Sequence, residues 1–252
     1  MNKIKILGIN INYGSKVEIM AKIKEFLASE KQHFIVTPNP EIILAAGEDE
    51  EFFDMLNKAD LSLPDGVGLK IAAWLMGKNI GRVAGADLLK DILAIAEARN
   101  RGVVIFNWLG GLSNKSDIYQ ALARKYPKLR VRVFNVDRED RAPESAMAEA
   151  DKFKPEIIFS TLGAPYQEKF IFYNLAKLPT AKIGLGVGGS FDFLTGRIKR
   201  APKILRMIGL EWLWRLIIQP WRRRRIFNAV IIFPVKFIIY YFKNIFKITI
   251  IC

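Results

Sequence analysis

The chain has 252 residues, 51% of them hydrophobic, with 39 Lys/Arg against 25 Asp/Glu, one histidine and one cysteine. That is enough apolar sequence for one large domain or a domain with an extension, and it excludes an internal disulfide framework, a multi-histidine metal site and a Ser-His-Asp triad with a spare base. The formal charge of +14 is unevenly spread: residues 197–252 hold thirteen of the bases and one acid, Glu211, so +12 of it lies there.

The amino end, MNKIKILGIN, breaks its apolar run at Lys3 and Lys5, so no signal-peptide core is expected. From there to Val187, strand-like apolar runs alternate with amphipathic helical stretches. Strands are predicted at 4–9, 34–37, 61–63, 103–108, 130–134, 157–160 and 183–187. Helices are predicted at about 16–28, 40–47, 50–57, 67–76, 86–99, 116–126, 144–153 and 166–175. The later strands are near-continuous β-branched and aromatic runs, the pattern of buried parallel strands. The alternation predicts an α/β fold: a Rossmann-like, mostly parallel sheet with flanking helices, whose ligands bind at the carboxyl ends of strands. His33 opens the apolar run HFIVT, where a structural role is expected. Near 196–202 acids vanish and bases begin, dividing an α/β body (1–196) from a basic, apolar appendage (197–252).

Chemistry-bearing residues gather at the predicted strand ends. Thr37 and Asn39 follow the second strand, Asp65 sits in the turn Pro64-Asp65-Gly66, and Gly110-Gly111 and Gly188-Gly189 follow later strands. Glycine pairs at such ends let backbone amides approach a phosphate. Plain structural readings stand beside these: Asp65 and Asn39 as helix caps, the diglycines as loop punctuation. GLGVGG (184–189) looks like a dinucleotide fingerprint, but it ends the fold and has no ribose-binding acid about 20 residues on, which argues against a dehydrogenase.

In the appendage, the run IFNAVIIFPVKFIIYYF (226–242) is interrupted by Asn228, Pro234 and Lys236, whereas a membrane-spanning helix takes about 20 apolar residues. Pro234 suits a first helical turn. Beyond it Lys236, Lys243 and Lys247 stack on one face with Tyr240 and Asn244, and Ile, Phe and Val fill the rest. A helix lying in a membrane interface, lysines toward headgroups, is expected in preference to a span or a core helix. Nucleic acid is not an expected partner, because the aromatics interleave with long apolar runs and form no stacking platform. Cys252 favours a reducing compartment and lacks the three residues that would follow it in a prenylation box.

Six motifs stand in order: TPNPEI (37–42), LPDGVGL (63–69), RVAGADL (82–88), LGAPYQEKF (162–170), GVGGSFDFLTGRIKRAP (186–202) and GLEWLWRLIIQPWRRRR (209–225). Through them the chain resembles the WecG/TagA/CpsF glycosyltransferases, family 26 of that class, over at least residues 7–225. The resemblance implies transfer of a β-linked sugar, often N-acetylmannosamine or its uronic acid, from a UDP donor. The implied acceptor is polyprenyl-diphosphate-linked N-acetylglucosamine (at its 4-hydroxyl) on the cytoplasmic face of the bacterial membrane, early in wall teichoic acid or related polysaccharide synthesis.

Inverting transfer needs a base for the acceptor hydroxyl and a stabiliser for the departing diphosphate. Asp65 matches the family's base, with Thr37 and Asn39 beside it. Arg82 matches a basic partner and Gln167 a polar cleft contact. Asp192 with Gly186, Gly188 and Gly189 is expected to hold the nucleotide, and Gly110 and Gly111 to line the substrate site. No strict Asp-x-Asp occurs, and Asp137-Arg138-Glu139 is charge-balanced and expected to be a solvated loop. Transfer is therefore expected to need neither metal nor cofactor, with arginines in the cation's place. Arg215, Arg222 and Arg225 match appendage positions and are expected to close over the diphosphate, with Glu211 orienting Arg215 and Pro220 starting a new helix. Trp221, Arg223, Arg224, Lys236, Lys243 and Lys247 are expected to meet an anionic membrane surface. Trp214 suits the same belt, and Trp212 fits the belt or the core. The segment FNVDRED (134–140) departs from the family, with Val136 where an aromatic is common, so UDP-N-acetylmannosaminuronic acid and UDP-glucose stay open as donors. An apolar tail off the membrane also implies self-association.

Overall fold

The structure is a computed structural model that describes residues 1–138, 143–207 and 209–251, with side chains of the last helix described through Lys243. Eight strands are present among these residues: β1 (Asn2–Ile6), β2 (Ile9–Tyr13), β3 (His33–Val36), β4 (Leu61–Ser62), β5 (Val103–Trp108), β6 (Val131–Val136), β7 (Ile157–Ser160) and β8 (Ile183–Gly186). The body's helices are α1 (Lys16–Ala28), α2 (Pro40–Ala46), α3 (Glu50–Asn57), α4 (Val67–Leu75), α5 (Gly85–Ala98), α6 (Lys115–Lys125), α7 (Glu144–Phe153), α8 (Tyr166–Asn174) and α9 (Ser190–Thr195). The appendage adds α10 (Lys203–Met207), α11 (Glu211–Ile218), a 3₁₀ turn (Pro220–Arg222), α12 (Arg223–Phe227), a π-helical turn (Asn228–Ile232) and α13 (Phe233–Ile251).

Six strands form one parallel sheet in the order β4-β3-β8-β7-β5-β6. Side chains alternate across it, as the period of two demands. Val104 and Phe106 pack on one side with α2, α3, α4 and α8. Val103 and Ile105 pack on the other with α1, α5 and α6. Both faces are covered, which is why the strands carry no polar alternation.

One predicted strand is two. The run 4–9 does not open the parallel sheet; it bends at Leu7-Gly8 into the antiparallel hairpin β1–β2, with Ile6 opposite Ile9. Both turn residues take positive φ (48° and 83°), the geometry of a two-residue hairpin turn. Ile4, Ile6, Ile9 and Ile11 all point into the core, and Asn12 Oδ1 accepts the Ser62 amide at 2.9 Å, so the hairpin covers the β4 edge. His33 lies at the amino end of β3, stacked on Phe26 at 3.8 Å. That is the end of the sheet opposite the motifs that follow the strands' carboxyl ends.

Among the described residues the appendage packs on the body at several points. Arg197 makes a bidentate pair with Asp117 of α6, and Arg200 makes another with Asp87 of α5. Ala201, Ile226, Phe233 and Phe237 are buried. Phe233, Phe237 and Tyr241 recur every four residues and join the core beside α2 and α4. The helix is expected from sequence to lie in a membrane interface in preference to forming a core helix; one of its faces is nonetheless docked in the core. Val235, Ile238, Ile239 and Phe242 are exposed and fall on the opposite side at 100° per residue, with Lys236 and Lys243 on the flank between. Pro220–Lys243 is long and apolar enough to cross a membrane by length and composition. The side chains of Asn244 and Lys247 lie outside the described residues.

Candidate active site

The carboxyl ends of β3, β4, β5, β7 and β8 open into one cleft of about 450 Å³, closed on its far side by α11, the 3₁₀ turn and α12. Thr37, Asn39, Asp65, Arg82, Gly110, Gly111, Gln167, Gly186, Gly188, Gly189, Asp192, Arg215, Arg222 and Arg225 all line it. Residues nearly 190 positions apart in sequence therefore meet. Arg223 and Arg224 point elsewhere and are exposed. Trp221 lines the cleft mouth while remaining 68% exposed.

Asp65 does not cap the helix that follows it. Gly66, at φ 98°, takes the N-cap position of α4 with no side-chain cap, leaving the Asp65 carboxylate on the cleft floor with 26% of its surface exposed. Burial raises its pKa, against the pull of Arg82 and Arg215. Arg82 Nε lies 3.6 Å from Asp65 Oδ1, and the Gly85 amide at the start of α5 donates to Oδ2 at 3.4 Å. Gly85 is a close approach: a Cβ there would stand 3.4 Å from Thr37 Oγ1 and 3.8 Å from Asp65 Oδ2. A carboxylate that burial makes more basic, held beside a cation and open to a cleft, is built to accept a proton. Asn39 has two tasks, because its Oδ1 caps α2 through the Ile42 amide at 2.9 Å while the residue lines the cleft.

The appendage arginines are anchored from below. Glu211 is buried and receives Arg82 Nη2 at 2.5 Å and Arg215 Nη2 at 2.9 Å. Although burial works against it, Arg215 and Arg82 hold its carboxyl below the usual range. Glu211 thus orients Arg215, as its spacing suggested, and also ties the appendage to Arg82 beside Asp65. Arg225 Nε donates to Glu41 at 2.6 Å. Arg222 has no ion-pair partner among the described residues, only Gln219 Oε1 at 3.1 Å. Burial, with Arg225 and Arg215 nearby, pushes Arg222 down to about 10. A crowded, desolvated guanidinium without a carboxylate is a site waiting for an anion.

Gln167 is buried and spends its amide on the loops. Its Oε1 accepts the Gly163 amide at 3.2 Å and the Gly188 amide at 2.7 Å, and its Nε2 donates to Glu168 Oε1 at 2.6 Å. It therefore shapes the cleft wall, and the Gly188 amide is already engaged. A Cβ on Gly186 would fall 2.7 Å from Gln167 Cγ. Glu168 behind it is fully buried, its Oε2 has no hydrogen-bond partner, and burial pushes it from 4.5 to about 7. Asp192, raised by burial, accepts Ser113 Oγ at 2.7 Å and so links α9 to the loop after β5. In that loop Gly110 folds over Trp108, where a Cβ would meet the indole at 2.6 Å. The pair lies several residues before α6, whose cap is Asn114.

Among the cleft residues not singled out from sequence as site residues are Trp108, Arg138 and Arg200. The solvated loop expected at 137–139 is corrected for Arg138, whose guanidinium lies 3.3 Å over the Trp108 ring while its Nε donates to the Leu162 carbonyl. Glu139 and Asp140 fall outside the described residues. Val136 is a core residue, so the aromatic surface on this side of the cleft comes from Trp108. The available signal was a tryptophan ending a strand immediately before the Gly110-Gly111 loop. Of the three tail tryptophans, Trp212 and Trp214 are half-buried, with Trp214 Nε1 donating to the Lys199 carbonyl at 3.1 Å.

Six arginines and three carboxylates thus face a cleft at the carboxyl ends of a parallel sheet. Comparison with known proteins agrees with this geometry. The model described as "Glycosyl transferase WecG/TagA/CpsF family" matches residues 4–246. A Bacillus subtilis (strain 168) protein named N-acetylglucosaminyldiphosphoundecaprenol N-acetyl-beta-D-mannosaminyltransferase is 31% identical over 229 residues, covering 87% of this chain and 84% of its own. A protein of the same name from Staphylococcus aureus (strain MRSA252) is 30% identical over 240 residues, covering 93% and 91%.

Proposed function

Because this chain belongs to the WecG/TagA/CpsF family of glycosyltransferases, we propose that it transfers N-acetylmannosamine from UDP-N-acetylmannosamine to the 4-hydroxyl of N-acetylglucosamine carried on a polyprenyl diphosphate. The relatives' names support the acceptor and the reaction. The observation that carries the reading is Asp65, a half-buried carboxylate between Arg82 and the α5 amino end, facing a wall of arginines across one cleft.

In this reading Asp65 takes the acceptor hydroxyl proton as that oxygen attacks the anomeric carbon. The bond to UDP breaks on the opposite face, so the configuration inverts. Arg215, Arg222 and Arg225 meet the charge that develops on the leaving diphosphate, the task a divalent cation performs in other sugar transferases. Thr37 and Asn39 position the sugars at Asp65, and Asp192 with the loop at 186–189 holds the nucleotide. The product is an early lipid-linked intermediate of wall teichoic acid or a related surface polysaccharide.

The same reading puts the protein on the cytoplasmic face of the membrane, where lipid-linked acceptors and soluble nucleotide sugars meet. The exposed Val235, Ile238, Ile239 and Phe242, flanked by Lys236 and Lys243, support an interfacial helix. The docked Phe233 and Phe237 argue against a span, which would pull that face from the core. Lys247 and the exposed Arg223 and Arg224 join the headgroup contact. Away from lipid, the apolar face favours self-association.

A second reading, a uronic acid donor, is favoured by Arg138 and Arg222, neither of which has an ion-pair partner among the described residues. The test is UDP release with a short-chain lipid-diphosphate N-acetylglucosamine acceptor, chelator present, across UDP-N-acetylmannosamine, its uronic acid, UDP-glucose and UDP-N-acetylglucosamine. Acceptor-dependent release with the first supports the proposal. Release with none of them, or equal release by Asp65→Asn, refutes it.

A further inference from the structure

A second groove, of about 330 Å³, lies on the outer side of Arg82. One wall is a face of α4. Val67, Lys70, Ile71 and Trp74 fall at i, i+3, i+4 and i+7 and so form a single stripe, while Leu69, Ala72 and Ala73 on the other side are buried. The opposite wall is the end of α10, with Arg206 and Met207, and the turn at Gly209, where a Cβ would stand 2.9 Å from Val67. Trp74 is 70% exposed and Met207 76%. Such an exposed stripe on a packed helix is the mark of a binding surface.

The groove's charge is one-sided. Lys70, Arg82 and Arg206 line it, and among the described residues no carboxylate does. Neither Lys70 nor Arg206 has an ion-pair partner among the described residues, and Arg206 Nε is held by the Ala201 carbonyl at 3.0 Å. Arg82 lines both cavities, and its carboxylate partners Asp65 and Glu211 line the first cleft.

We propose that this groove is the acceptor's lipid-diphosphate subsite: Lys70, Arg82 and Arg206 hold the acceptor diphosphate, and Ile71, Trp74 and Met207 hold the first isoprene units. The inference rests on the reading of a lipid-diphosphate acceptor. Three observations favour this occupant. Each wall sets a cation beside apolar side chains, Lys70 with Ile71 and Trp74 on one and Arg206 with Met207 on the other, matching a ligand with a dianionic head and a hydrocarbon tail. The groove adjoins the cleft of Asp65 through a shared residue, so a sugar presented to Asp65 trails its diphosphate past Arg82. The outer wall continues into the exposed Ile204 and Met207 of α10, which with the exposed Leu213 and Ile217 of α11 give the chain an apolar exit toward the membrane.

The test uses the full-length protein and three probes, each below its micelle concentration: farnesyl diphosphate, farnesol and inorganic diphosphate. Affinities are measured by calorimetry, with UDP binding and melting temperature as controls. An Ile71→Ser/Trp74→Ala variant is expected to bind farnesyl diphosphate at least tenfold more weakly while binding inorganic diphosphate as wild type does. Lys70→Glu is expected to weaken both by at least tenfold. UDP affinity should hold in each, and the substituted side chains are exposed enough to leave α4 folded.

Farnesyl diphosphate affinity unchanged in both variants overturns the proposal. So does loss of vesicle co-sedimentation with farnesyl diphosphate affinity intact, which would make α4 a simple membrane contact. Failure of the reaction reading is separable. Wild type that binds farnesyl diphosphate through Trp74 yet releases no UDP with any donor keeps the groove and loses the reaction; normal turnover with an unchanged acceptor KM in both variants does the reverse.

Discussion

Replacing Glu168 with Gln should flatten the pH dependence of stability. Glu168 sits fully enclosed behind the cleft wall with one carboxyl oxygen unpartnered, and burial moves it from the ordinary 4.5 to about 7. A folded-state value above the unfolded one means that folding favours the protonated form. The associated stability is therefore complete below about pH 4.5 and is lost as pH rises through 7. At about 1.4 kcal/mol per unit the loss amounts to about 3 kcal/mol, or roughly 10 °C in melting temperature for a chain of this size. Urea and thermal melts of wild type and Glu168→Gln from pH 4.5 to 8.5 measure it. The wild-type curve should fall relative to the variant's by that amount, most steeply between about pH 5 and 6.5 and levelling off above 7. The comparison of slopes matters more than the level, because the new amide leaves its own donor unpaired at a cost of about 1–3 kcal/mol. Parallel curves across the range would refute the burial argument, since an exposed or ion-paired carboxyl gives no such difference.

Other substitutions bear on the site directly. Asp65→Asn should lower kcat by about 10²–10⁴-fold, the usual worth of a general base, with UDP affinity retained by calorimetry; a smaller loss removes Asp65 from that role. Because Arg82 pulls the Asp65 carboxyl down against its burial, Arg82→Gln should move the acid limb of the pH–rate profile to higher pH, and a stationary limb contradicts the pairing. Arg222→Gln should raise the donor KM by roughly 10–100-fold, the equivalent of one charge-assisted hydrogen bond at about 1.5–3 kcal/mol. It should not lower the melting temperature, since it relieves crowding with Arg215 and Arg225. Ile238→Asp with Ile239→Asp should cut partitioning into anionic vesicles about 100-fold by removing two apolar side chains worth about 1.5–3 kcal/mol each when fully buried. Both are exposed, so melting off the membrane should be unchanged; undiminished vesicle binding removes this face from the interface.

Long apolar runs announced themselves. β5 and β7 match their predicted limits because a strand buried on both faces leaves a contiguous β-branched and aromatic record. The hairpin was hidden because its turn is Leu7-Gly8, without the Asn-Gly or Asp-Gly pair that usually marks such a turn. The split roles of Asn39 and Asp65 were likewise beyond sequence. Both precede helices in cap-like positions, and only the backbone assigns the cap of α4 to Gly66 and frees Asp65 for chemistry. Arg138 on Trp108 and Arg200 on Asp87 are contacts between distant segments set by how loops fold over strand ends, and nothing in local spacing encodes them.

The appendage looked in sequence like two parts, an arginine segment and an apolar helix, and their packing joins them to the same few residues. Glu211 ties α11 to Arg82 and through it to Asp65. Phe233 ties α13 to Gly68 of α4, where a Cβ would lie 3.7 Å from its ring and 2.7 Å from Pro40 at the start of α2. Asn39 caps α2 and Asp65 stands just before Gly66, the cap of α4, so both elements that present these side chains rest against the apolar helix. Under the proposed membrane placement, a bilayer holding the exposed face of α13 would act on the supports of Asn39 and Asp65 from one side, with the arginines on the other. Separating the two functions by truncation at residue 226 would leave Arg215, Arg222 and Arg225 in place and uncover Pro40 and Gly68. Activity on a soluble short-chain acceptor then distinguishes a helix that only anchors from one that also braces the site: retained kcat means anchoring alone, and a fall in kcat with UDP affinity preserved means bracing.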